Sequence, residues 1–180
     1  MNKSLVLTVP ALLGLAACVG RSEPVESITG DVAAPIELRD FSGRTVATAT
    51  VTDSGGVRVR LEATGLPPGT YGVHVHAVGR CDPPGFESAG PHWNPTARQH
   101  GTLNPMGPHL GDLPNLSVGT NGGGAVEFTI GGATLAHGDA ALLDHDGGAL
   151  VVHAGPDDYR TDPSGNSGAR IACGVIAEPR

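Results

Sequence analysis

Aromatic side chains are scarce in this chain of 180 residues, at 3 % of the total. Lysine is scarcer still, with Lys3 the single example. No internal repeat or low-complexity tract is present, which excludes repeat architectures. Basic surface is lacking as well. With 18 acids and a formal charge of −7, the chain carries no field that would hold nucleic acid. Long helical periods are missing, because 28 Gly and 15 Pro interrupt the pattern throughout. Such punctuation suits short strands joined by turns. The length suits one domain with one proper core.

The first residues read as an export signal. Lys3 is followed by an apolar stretch, Leu5 to Ala16, which is too short for a permanent membrane helix. It ends in Leu15-Ala16-Ala17-Cys18, which resembles the bacterial lipobox. That resemblance implies cleavage before Cys18 and lipidation of Cys18. Residues 1–17 are then a signal peptide, 18–32 a lipidated N-terminus and polar tether, and 33–180 the folded domain. The expected location is periplasmic, with membrane contact only through the lipid. The alternative is an ordinary signal cut after a small residue, with Cys18 a bystander. If Cys18 takes lipid, Cys81 and Cys173 remain as one pair in an oxidising compartment, where a disulfide persists.

Strand signals begin near Ala33. Ile36 and Leu38 flank Glu37, and Thr45 to Thr52 is a β-branched run. Val57, Val59, Leu61 and Ala63 alternate with Arg58, Arg60 and Glu62, so one face is apolar and the other wet. Asp53-Ser54-Gly55-Gly56 joins the two segments as a hairpin. In the next strand Tyr71, Val73, Val75 and Ala77 point one way, while His74 and His76 point the other. Residues 79 to 123 show little strand signal, and a loop so long is normally functional. Val126, Phe128 and Ile130 resume the alternation. Two apolar runs, Ala149 to Val152 and Ile171 to Ile176, bracket a second polar loop, 154–170. The expected fold class is all-β: an antiparallel Greek-key β-sandwich or barrel with two long functional loops.

Five of the eight histidines (His74, His76, His92, His100 and His109) fall between Tyr71 and Asp112. Imidazoles and a carboxylate crowded into one segment, with Gly and Pro shaping the loop, are what a transition-metal site requires.

Five segments then resemble the copper/zinc superoxide dismutases of the bacterial periplasmic type. They are GVHVHAVG (72–79), SAGPHWNP (88–95), HGTLNPMGPHLGDL (100–113), LVVHAGPDDY (150–159) and GNSGARIACGVI (165–176). The resemblance implies copper on His74, His76, His92 and His153. It implies zinc on His92, His100, His109 and Asp112, with His92 shared as an imidazolate. Four nitrogens suit Cu(II), and three imidazoles with one carboxylate suit a closed zinc site. It further implies that Asp157 links His74 to His100, and that Arg170 binds the anionic substrate beside the copper. In the implied cycle one superoxide is oxidised to O₂ and a second is reduced to H₂O₂, with His92 carrying a proton. Counting both ions, Asp112 and a deprotonated His92, the core carries about +2, so an acidic protein can still attract an anion. Relatives steer the anion with lysines in the second loop; this loop has none and, apart from Arg170 itself, only Arg160.

A rival reading is an exported metal-holding protein without turnover. The full ligand set together with Arg170 favours the enzyme. A monomer and a homodimer both remain open. His137 and His145 match no ligand position and are expected to face solvent, and Trp93 is expected to pack rather than react. Asn115-Leu116-Ser117 resembles a glycosylation sequon, uninformative beside a bacterial-type lipobox.

Overall fold

The computed structural model describes Met1 and residues 35–180, so the signal, the lipobox and the tether lie outside the described residues. Among the described residues there are nine strands: β1 (Ile36–Asp40), β2 (Thr45–Asp53), β3 (Val57–Ala63), β4 (Gly69–Tyr71), β5 (Val73–His76), β6 (Leu116–Val118), β7 (Gly124–Ile130), β8 (Gly148–His153) and β9 (Arg170–Ala177). Seven form one antiparallel sheet in the order β5-β8-β9-β1-β2-β3-β7. The other two, β4 and β6, pair with each other. β4 runs straight into β5, and β6 turns tightly into β7, so this ribbon bridges the two ends of the curled sheet. The chain leaves β3, crosses to β4 and returns through β6 to β7, which pairs with β3. That path is the Greek key.

Where one face is wet, alternation decides the strand. β3 buries Val57, Val59, Leu61 and Ala63 and exposes the three charged residues between them. Arg58 and Arg60 there reach Glu127 on β7 at 3.3 and 3.2 Å; exposed pairs of this kind add little to stability. β8 behaves differently, because all six of its residues are buried. Leu150 and Val152 enter the main core, whereas Ala149 and Val151 pack with Phe86, Ala89 and Cys173 beneath the first long loop. A strand covered on both faces reads as an unbroken apolar run.

The two long connections are 77–115, which holds a single turn of 3₁₀ helix at Glu87–Ala89, and 154–169. One expectation needs correction. The stretch 79–123 is not strand-free, because Leu116 and Val118 are buried and pair through β6 with β4. Three residues between Asn115 and Gly119 are too few to show a period. A third connection, 131–147, carries the exposed His137 and His145.

Cys81 and Cys173 form a disulfide with Cα atoms 5.6 Å apart, which ties the first loop to β9. The bond closes a segment of 92 positions. On chain entropy it should contribute about 4 kcal/mol. Replacing both cysteines by serine should lower the denaturation free energy by that order. An unchanged denaturant midpoint would contradict it.

Candidate metal centre

Strand parity assembles the first three ligands. His74 and His76 alternate with the buried Val73 and Val75 on β5. On the neighbouring β8, Val151 lies opposite His74 and Ala149 opposite His76, so His153, two residues beyond Val151, leaves the same face. The three imidazoles meet on the outer side of the sheet, where the long loops cover them to 0–3 % exposure.

The first loop then folds back against β5. Val75 accepts a hydrogen bond from the Trp93 amide and donates its own amide to the Gly111 carbonyl, both at 2.8 Å, and the Gly111 amide donates to Trp93 O at 2.9 Å. This three-way backbone knot sets His92 beside His76 and Asp112 beside His74. A Cβ on Gly111 would lie 2.4 Å from Val75 O, so only glycine lets these backbones pass. Trp93 packs into the core.

Four ring nitrogens converge: His74 Nδ1, His76 Nε2, His92 Nε2 and His153 Nε2 are all buried and have no hydrogen-bond partner. A buried polar atom left without a partner is costly and rare. The opposite nitrogens explain why these four are free. His76 Nδ1 faces Gly90 O at 2.8 Å and His153 Nδ1 faces Gly168 O at 3.1 Å, so each donates there and turns a lone pair toward the centre. His74 Nε2 meets Asp157 Oδ2 at 2.9 Å.

Beside this set, three more nitrogens gather around one oxygen. His92, His100 and His109 approach Asp112 Oδ1 through Nδ1 at 2.9, 3.0 and 3.1 Å. His92 therefore takes part in both clusters, one nitrogen on each side. His74 also lies near the second group, but Asp157 occupies its Nε2 and its Nδ1 belongs to the first, so His109 is the better fourth member. Asp157 Oδ1 meets His100 Nε2 at 2.9 Å, so one carboxylate spans a ring of each cluster. Gly165 (φ +63°) lies against that contact, where an added Cβ would sit 1.8 Å from Asp157 Oδ1. The neighbouring Asp158 is exposed and instead caps the Arg160 and Thr161 amides.

Electrostatics follow the geometry in the metal-free protein. Burial pushes His74 down to about 3, His76 to about 2 and His153 to about 4, so these rings stay neutral. Burial also lowers His92. For His100 burial is outweighed by Asp112 and Asp157, which hold it up to about 9. Asp112, against its own burial, is held well below the usual carboxylate range by its three histidines.

Arg170 lies at the mouth, in a cleft of about 560 Å³ lined also by His76, Glu87, His92, Asn94 and His153. Its Nη1 donates to Phe86 O at 2.7 Å and its Nη2 to Gly90 O at 2.8 Å. Burial lowers the guanidinium and Glu87 opposes that; it remains charged at neutral pH. Those carbonyls, Glu87 and Asn94 carry no sequence signal that could have singled them out.

A Greek-key barrel with two adjoining ligand clusters that share one imidazole defines a dinuclear metalloprotein, and the four partnerless nitrogens fit a bound ion better than any hydrogen bonding. The family model for copper/zinc superoxide dismutase matches residues 42–176. A superoxide dismutase [Cu-Zn] of Aquifex aeolicus is 44 % identical over 153 residues, covering 83 % of this chain and 90 % of that protein. Among solved structures, a SOD-like protein from Bacillus subtilis superposes with a TM-score of 0.75 at 40 % identity, over 79 % of this chain and 97 % of that one. The Cu/Zn superoxide dismutase of Brucella abortus does so with a TM-score of 0.62 at 29 % identity, over 80 % and 99 %. The chain belongs to the copper/zinc superoxide dismutase family. It carries that family's histidine cluster for copper and its His/Asp set for zinc, bridged by His92.

Proposed function

We propose that this protein dismutes superoxide in the periplasm, anchored to a membrane through lipid on Cys18. The observation that carries the catalytic reading is the convergence of four buried, partnerless imidazole nitrogens beside a guanidinium. His74, His76, His92 and His153 would hold copper, and His92, His100, His109 and Asp112 would hold zinc. Copper supplies one-electron redox chemistry, and zinc supplies fixed positive charge. Arg170, pinned by two carbonyls, offers its remaining N–H groups to the anion. His92 Nε2 holds a proton during the reduced half of the cycle and gives it to the peroxide product, while solvent supplies the second proton. Asp157 orients His74 and His100 at once.

Loading the protein with copper and zinc should accelerate superoxide decay. Tight binding of both ions without acceleration would instead mark a metal store. In the loaded enzyme, Arg170→Ala should retain both metals and lower kcat/KM about tenfold or more, since a charged contact to substrate is worth about 1.5–3 kcal/mol. Unchanged kinetics would remove Arg170 from the mechanism. For the anchor, mass analysis of the mature chain should find a lipid-modified Cys18 as the first residue; an unmodified or earlier N-terminus would refute it.

A further inference from the structure

We infer that Asn115 is a positioning residue for the metal centre: it holds the Asp157 backbone, and so its carboxylate, between His74 and His100. The inference rests on the role proposed above for Asp157. None of the hydrogen bonds of Asn115 goes to a ligand ring. Its Oδ1 accepts from the Asp157 amide at 2.8 Å and its Nδ2 donates to the Asp157 carbonyl at 2.9 Å. A single side chain thus meets both backbone groups of one residue, as a partner strand would. The backbone amide of Asn115 adds a third grip by donating to the Tyr159 hydroxyl at 2.8 Å, and the Tyr159 amide returns to Asp157 Oδ1 at 2.6 Å.

The position of Asn115 in the chain gives the clamp its reach. Asn115 stands three residues after Asp112, beyond the buried Leu113 and the stiff Pro114. A closed circuit follows. Asp112 meets His100 Nδ1, His100 Nε2 meets Asp157, and Asp157 is gripped by Asn115, which the chain returns to Asp112. His100 is therefore held at both nitrogens by carboxylates from the two long loops, and Asn115 sets the distance between those loops. Removing the amide would leave Asp157 on a loop free to drift from both rings. Carboxylates that orient ligand rings typically change metal affinity 10–100-fold when altered.

Zinc affinity of the full domain, measured by competition with a chromophoric chelator, tests this, together with the visible spectrum of Co(II) placed in the zinc site. Asp157→Ala and Asn115→Ala should each weaken zinc about tenfold and alter the Co(II) bands. The double variant should bind no more weakly than Asp157→Ala alone, because both changes break one linkage. Losses that multiply would overturn the inference, as would an Asn115→Ala protein that melts earlier yet keeps zinc affinity and spectrum. If Asp157→Ala itself leaves both readouts unchanged, the role of Asp157 fails and the inference falls with it. If Asp157→Ala weakens zinc and Asn115→Ala does not, the inference alone falls. Should Asn115→Ala not fold, Asn115→Asp carries the same expectation, since it keeps the shape and acceptor but loses the donor to Asp157 O. Tyr159→Phe, which removes only the third grip, should leave zinc affinity within about twofold.

Discussion

Replacing His92 by alanine should lower dismutation by more than about a hundredfold and also disturb the zinc site. The size follows from comparison. Altering a group that merely orients a ligand costs 10–100-fold, and His92 is placed to serve two ions directly. Its Nδ1 lies 2.9 Å from Asp112 Oδ1 among the three rings of the zinc set, and its Nε2 is one of the four partnerless nitrogens. Loss of this one ring removes a donor from each cluster and, on the proposed mechanism, the proton carrier as well. Activity, the Cu(II) magnetic spectrum and zinc affinity should all change together. Dismutation retained within tenfold would mean that the ring is not shared.

The second large effect concerns acid and the metal-free protein. His74, His76 and His153 titrate at about 3, 2 and 4 when folded, against about 6.5 when unfolded. Because burial depresses these values, the unfolded chain binds the extra protons, and stability falls as pH drops below 6.5. Between pH 7 and 5 the three rings together remove on the order of 5 kcal/mol. His100, held up to about 9, works in the opposite sense: its contribution is complete below 6.5 and is lost as pH rises from there to 9. Between pH 7 and 5 it therefore offsets only about 1 kcal/mol of the acid loss. The depressed Asp112 and Asp157 lose their contributions only below about pH 3.9. Since domains are stable by roughly 5–15 kcal/mol, the metal-free protein should approach its unfolding midpoint near pH 5, while the loaded protein resists. A melting temperature that stays level from pH 7 to 5 would contradict the burial of neutral rings.

Much of the fold was legible because one wet face leaves a period. Val57 to Ala63 could be read directly, and the parity of Tyr71 to His76 placed two imidazoles together before any coordinates. Legibility failed where that contrast vanishes. β6 is too short to repeat, whereas β8, buried on both sides and without alternation, still stood out as the apolar run Ala149 to Val152. The site divides in the same way. Charged and ring-bearing residues could be proposed from chemistry and family likeness, and Asp157 rather than Asp158 proves to be the buried carboxylate. The carbonyls of Phe86, Gly90 and Gly168 could not, since every residue has one and only tertiary folding selects it. Asn115 was hidden for a related reason, because an amide before a short strand looks like any turn residue.

The Gly90 oxygen has one further consequence. It accepts from both the His76 ring and the Arg170 guanidinium, and a carbonyl has only two lone pairs to offer. A pull on the arginine is thus transmitted to the imidazole through a single atom. On the role proposed for Arg170, anion capture and the orientation of His76 are mechanically geared, so neither is tuned by mutation without turning the other.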